Sequence, residues 1–145
     1  MHRNEHTVEI AAAPEEVFPY LVDGERRLEW MGVLQESEKL TDGPPGVGSR
    51  WRDVFEDHGH RIELDAELEE YEPGRRLVVR LRNRAFESTS TQVLEEAAGG
   101  TRLTAVIETE YKALAARLMA GVVTRHAQKQ LEADLTRLKA IVERG

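Results

Sequence analysis

An α+β fold, in which a curved antiparallel sheet of seven strands wraps around one long C-terminal helix, is what this sequence predicts, on three observations. Hydrophobicity alternates with a period of two from Val33 to Tyr111, broken at regular intervals by Gly, Pro, Asn and Asp, the pattern of a meander with one dry and one wet face. Ala113 to Glu143 has no proline, a single glycine and an apolar stripe at helical spacing, so it reads as a helix of roughly thirty residues and about 45 Å. The 145 residues carry no linker, repeat or low-complexity stretch, and folding at that length buries roughly 70% of the surface an unfolded chain exposes. One domain over residues 1–145 with one core follows.

His6, Val8 and Ile10 alternate in a short strand of about six residues. Pro14-Glu15-Glu16 opens a helix, with proline in the first turn and two carboxylates at the positive end of the dipole. Val17, Phe18, Leu21 and Val22 form its apolar face, and Pro19 is close enough to the start to be tolerated. Asp23-Gly24 breaks it, and Glu25 to Met31 makes a second short helix carrying Leu28 and Trp30. Breaks at 41–46, His58-Gly59, Glu72-Pro73-Gly74, near Asn83 and at Ala98-Gly99-Gly100 then delimit six strands. Alternation is clearest in Ile62, Leu64, Ala66 and Leu68, in Leu77, Val79 and Leu81, and in Leu103, Ala105 and Ile107. The stripe of the last helix is Leu114, Leu118, Val122, Leu131, Leu135, Leu138 and Val142. A helix this long is not shielded by a flat sheet, so the sheet must curl around it.

Composition narrows the function. The net charge of −7 disfavours nucleic acid, whose affinity comes mostly from neutralised phosphates. Arg75, Arg76, Arg80, Arg82 and Arg84 are matched by Glu63, Asp65, Glu67 and Glu69, which predicts cross-strand pairing. The absence of cysteine excludes disulfides, thiolate chemistry and cysteine-ligated metals. The N-terminus has no apolar signal region and no segment has the apolar run of a membrane span, so the expected location is cytoplasmic. His2 and His6 lie near the terminus, His58 and His60 flank a hairpin glycine at a spacing that can bind a metal but that exposed turn histidines show far more often, and His126 stands alone on the long helix. No metal site, no cofactor, no phosphate-cradling loop and no Ser-His-Asp group is expected from this pattern.

Four motifs then carry a resemblance. Ala13-Pro14-Glu15-Glu16-Val17-Phe18, Gly46-Val47-Gly48-Ser49-Arg50-Trp51, Glu70-Tyr71-Glu72-Pro73-Gly74-Arg75-Arg76-Leu77 and Gly99-Gly100-Thr101-Arg102-Leu103-Thr104 occur in this order across nearly the whole chain. Together they resemble the START-like (SRPBCC) superfamily, which includes polyketide cyclases and dehydrases, pollen-allergen-type proteins and lipid-transfer domains. The resemblance implies the helix-grip fold and a pocket for a small hydrophobic molecule, such as a lipid, polyketide or isoprenoid. Locally the same glycines read as turn residues, with Gly99 and Gly100 both free to take positive φ. Fold alone does not choose among the functions this scaffold carries.

A mixed pocket is expected between sheet and helix. Trp51, Asp53 and Phe55 share one strand face, as do Phe86, Ser88, Ser90 and Gln92. The helix is read as turning Arg117, Gly121, Thr124 and Gln128 inward beside Leu131, leaving space and hydrogen-bonding capacity at its middle; Gly121 reads equally as a close helix–sheet contact. The expected wall is Trp51, Phe55, Leu64, Leu68, Val79, Phe86, Ser88, Ser90, Ile107, Arg117, Gly121, Thr124, Arg125 and Gln128.

Acid–base candidates are few. Asp53, between two aromatics, reads either as a desolvated acid or as the partner of Arg50, Arg52 or a helix arginine. Tyr111 reads as a donor to a ligand carbonyl or as an ordinary structural hydrogen bond. Arg117 and Arg125 read as carboxylate ligands or as solvated side chains. Three functions stay open: a binding or carrier protein for a small hydrophobic ligand, a cyclase- or dehydratase-like enzyme, and an interaction module using the acidic surface of Glu63 to Glu70. Monomer and homodimer are both compatible with the sequence.

Overall fold

The computed structural model describes residues 1–145. Its elements are β1 (His2–Ile10), α1 (Pro14–Val22), α2 (Gly24–Trp30), β2 (Leu34–Lys39), β3 (Arg50–Asp57), β4 (His60–Glu72), β5 (Arg76–Arg82), β6 (Phe86–Ala97), β7 (Gly100–Tyr111) and α3 (Leu114–Arg144). The seven strands form one antiparallel sheet in the order β1-β7-β6-β5-β4-β3-β2. The helix-grip fold class is the one the sequence predicts.

β1 is nine residues long, three more than the apolar alternation indicates. Its first half hid in the sequence because the inward position belongs to Asn4, which is 6% exposed and bonds to α3 instead of packing apolar surface. Irregularities after Leu34 in β2 and after Leu68 in β4 let the strands bend. Of the two adjacent glycines, Gly99 takes φ +84°, while a Cβ on Gly100 would stand 2.0 Å from the Ile10 carbonyl oxygen. Gly100 is therefore required by the close approach of β1, and only Gly99 by left-handed backbone.

Of the expected cross-strand pairs, Arg80 meets Glu69 at 2.6 Å, whereas Arg76 takes Glu70 at 3.1 Å and Arg82 takes Glu87 of β6 at 3.9 Å. Arg52, by hydrogen bonding, and Arg61 hold the Glu63 carboxyl below the usual carboxylate range. Within the acidic run, Glu63 and Glu69 are thus paired with neighbouring arginines.

The core lies at one end of the molecule. Val17, Phe18 and Leu21 of α1 and Leu131, Leu135, Leu138 and Val142 of α3 close over Ile10, Leu94 and Leu103. A buried polar clasp braces this end: Asp134 Oδ1 accepts from the Gly32 N–H at 2.9 Å and from Arg137, which also donates to the Trp30 carbonyl at 2.7 Å.

The other half of α3 corrects the expected helix face. Leu114, Leu118 and Val122 face solvent at 71%, 77% and 52% exposure. Counting back from Leu131 at 3.6 residues per turn gives Ala127, Thr124, Ala120 and Ala116, and these are the less exposed positions. α3 is held to the edge strand β1 rather than to the sheet's centre. Asn4 donates to the Thr124 carbonyl at 2.9 Å, Gln128 to the Glu5 carbonyl at 2.9 Å and Lys139 to the Glu9 carbonyl at 2.7 Å. Small side chains on the seam permit that approach.

Candidate functional site

The concave face of the sheet keeps an internal space. A cavity of about 190 Å³ opens between the concave face and the α1–α2 segment, and thirteen of its seventeen lining residues are apolar. Leu21, Val22, Trp30 and Met31 roof it; Trp51, Phe55, Leu64, Ala66, Leu68, Leu77, Val79, Leu81 and Ile107 form the walls. A shallower groove beyond Val22 and Trp51 runs between the α1–α2 junction and the loop holding Gly43 and Pro45. The indole N–H of Trp30 donates to the Tyr20 carbonyl at 2.8 Å, which fixes the ring against the cavity roof.

The polar lining is confined to Arg27 and a row on β6, Ser88, Ser90 and Gln92. Antiparallel register explains the row: Ser88, Ser90 and Gln92 stand opposite Leu81, Val79 and Leu77 of β5, so they share the concave face with those aliphatic side chains. Ser88 is matched by Thr109 across the strand pair at 2.7 Å. Gln92 is not matched, for its Oε1 is buried without a hydrogen-bond partner. A buried amide oxygen left unpaired costs about 1–3 kcal/mol, which makes Gln92 the wall position that gains most from a donor on a ligand.

Arg27 is held from behind. Its guanidinium meets the fully buried Asp53 at 2.7 Å, and Ser37 Oγ donates to the other Asp53 oxygen at 2.8 Å. Burial of two charges together is tolerable only when the remaining lone pairs are also satisfied, and Ser37 does this for Asp53. The carboxylate is thereby occupied and lies off the cavity wall, whereas Arg27 lines it.

Of the residues singled out from sequence, Trp51, Phe55, Leu64, Leu68, Val79, Ser88, Ser90 and Ile107 line the cavity. The helix residues do not. Arg117, Gly121 and Arg125 are exposed, Arg117 reaching only the Tyr111 carbonyl at 3.2 Å. Thr124 and Gln128 turn to β1, where Gln128 bonds Asn4 and Glu5. The expected stripe was offset by about one position because alanine gives no periodic signal of its own. Phe86 also lies off the wall, packed on Tyr111 with ring centroids 6.1 Å apart, and Tyr111 is sandwiched between Phe86 and His2. Sequence reasoning missed Arg27, whose only local signal was its place three residues before the buried Trp30.

The family model described as polyketide cyclase / dehydrase and lipid transport matches residues 1–143. A search of curated proteins returns no match. Among solved structures, a Thermus thermophilus protein is 21% identical and superposes with a TM-score of 0.81, covering 97% of this chain and 96% of that one. A Chromobacterium violaceum protein is 19% identical with a TM-score of 0.78, covering 98% and 97%. Ara h 8.0201 is 15% identical with a TM-score of 0.76, covering 99% of each chain. At these identities the likeness speaks for the fold.

Proposed function

Because the chain belongs to the polyketide cyclase / dehydrase and lipid transport family, we propose that it binds or carries a small, mostly apolar molecule with one hydrogen-bonding end in the cavity over β3–β7. The observation that carries this reading is the unpartnered Gln92 Oε1 in a chamber whose wall is mostly aliphatic and aromatic, Arg27, Ser88 and Ser90 being its other polar members. An empty apolar space lowers stability in proportion to its volume, and an orphan acceptor adds to that cost; a ligand with a donor offsets both. A space somewhat larger than the roughly 150 Å³ that accepts benzene suits a one- or two-ring ligand, or one segment of a longer chain that runs out past Trp51.

Carriage is favoured over catalysis by what the wall lacks. General acid–base chemistry needs a titratable group within reach of the reacting atom, yet Asp53 is engaged by Arg27 and Ser37 and Tyr111 stands outside the cavity lining. Arg27 remains as a fixed cation that suits a ligand carbonyl or carboxylate.

The test is to purify the protein, denature it and examine the extract by mass spectrometry, alongside the variant Gln92→Leu. A stoichiometric apolar compound in the wild type, depleted in the variant, is the expected result. An empty extract together with no thermal shift across lipids, isoprenoids and aromatic polyketides overturns the reading.

A further inference from the structure

The fold assembles a group that the linear sequence keeps far apart. The β3–β4 hairpin places Asp57 and His58 against His126 of α3, and one ligand atom from each of the three lies within 4.8 Å of the others. Asp57 Oδ2 meets His126 Nε2 at 2.6 Å, Asp57 Oδ1 is 3.6 Å from His58 Nε2, and the two imidazole rings are 5.5 Å apart. His58 is the one residue other than glycine with positive φ, at 51°. The left-handed turn it makes with Gly59 sets its ring beside His126.

We propose that Asp57, His58 and His126 form a binding site for a divalent first-row transition metal, with zinc as its simplest occupant. Two neutral imidazoles and one carboxylate are the borderline donor set such ions prefer, whereas calcium and magnesium call for more oxygen. Metal–ligand bonds of about 2.0–2.2 Å in a tetrahedron bring ligand atoms to roughly 3.4 Å from one another. The three side chains reach that spacing by small rotations, since the two imidazoles are 79% and 47% exposed. Three protein ligands leave at least one coordination position for water or an added ligand.

Position gives the site a consequence. α3 is tied along β1 at one edge of the sheet, and Asp57, two residues after the cavity-lining Phe55, ends β3 near the opposite edge. A metal here joins the first half of α3 to the β3–β4 hairpin, bracing the helix from both sides. The site does not require the cavity to be filled.

Isothermal titration of tag-free, chelator-treated protein with zinc chloride tests the proposal. One saturable site is expected, with a melting-temperature rise of roughly 5–10 °C at a hundredfold excess over the dissociation constant, and no comparable response to magnesium. His58→Gln and His126→Gln should each weaken binding at least tenfold, while His6→Gln leaves it unchanged. Failure to saturate, or undiminished affinity in the His58→Gln/His126→Gln double variant, overturns the site. Amide exchange reads the bridge separately: zinc should slow it in residues 57–60 and in 122–128 together, and protection of one segment alone contradicts a bridge.

Discussion

The two halves of α3 use the same helix in opposite ways. From Leu131 onward the inward positions are Leu131, Leu135, Leu138 and Val142, all buried, and the sheet beneath is closed. Before Leu131 the seam is Ala116, Ala120, Thr124 and Ala127, while Leu118 and Met119 stand in solvent at 77% and 53% exposure. Large side chains fill the space between helix and sheet at one end; at the other the small seam residues seat α3 against β1, and no α3 side chain enters the cavity that the α1–α2 segment roofs. The contrast separates the part of the molecule that supplies stability from the part that gives up stability to keep a cavity.

Variants at each end sharpen that contrast. The largest effect should come from Arg27→Met, which leaves the fully buried Asp53 charge without its partner and should cost about 3–5 kcal/mol. Denaturant melts of this variant and of Arg27→Met/Asp53→Asn check it, the second recovering part of the loss. Leu135→Ala, at 0% exposure, should cost about 2–5 kcal/mol through lost burial and a new void. Leu118→Glu, one helix with it but facing water, should change stability by less than about 0.5 kcal/mol. Equal losses for these two would break the division of α3 into packed and open halves.

The smallest effect concerns the end of the helix. Lys139, by hydrogen bonding, and the Ala11 N–H hold the Glu143 carboxyl below its usual 4.5. A carboxylate with a lowered folded pKa adds stability above its unfolded pKa, and that contribution disappears as pH falls through the folded value. A melting-temperature difference between wild type and Glu143→Gln should therefore be present at pH 7 and vanish in acid.

The strands and turns were legible because each rests on local chemistry: alternation along β4, β5 and β7, and glycine or proline at the reversals. Eight wall residues followed from that alternation. What escaped the sequence depends on groups that only the tertiary structure joins. Asn4 concealed the start of β1 because its partner, the Thr124 carbonyl, is on another element. The seam of α3 escaped because alanine marks neither face. Asp53 was recognised as buried or paired, but Arg27 on α2 lies 26 residues away, and no spacing rule connects them. His126 was solitary in the chain and meets Asp57 only once α3 crosses the hairpin.

The most direct test of the central claim, that the cavity and not the exposed helix face binds apolar ligands, is titration with the fluorescent probe anilinonaphthalene sulfonate. Ser90 stands between Val79 and Ile107 on the cavity wall, so Ser90→Phe fills the space from within. One saturable site is expected in the wild type, lost in Ser90→Phe and kept in Leu118→Glu. Fluorescence that survives Ser90→Phe and falls in Leu118→Glu would contradict that claim, assigning the binding surface to the outside of α3.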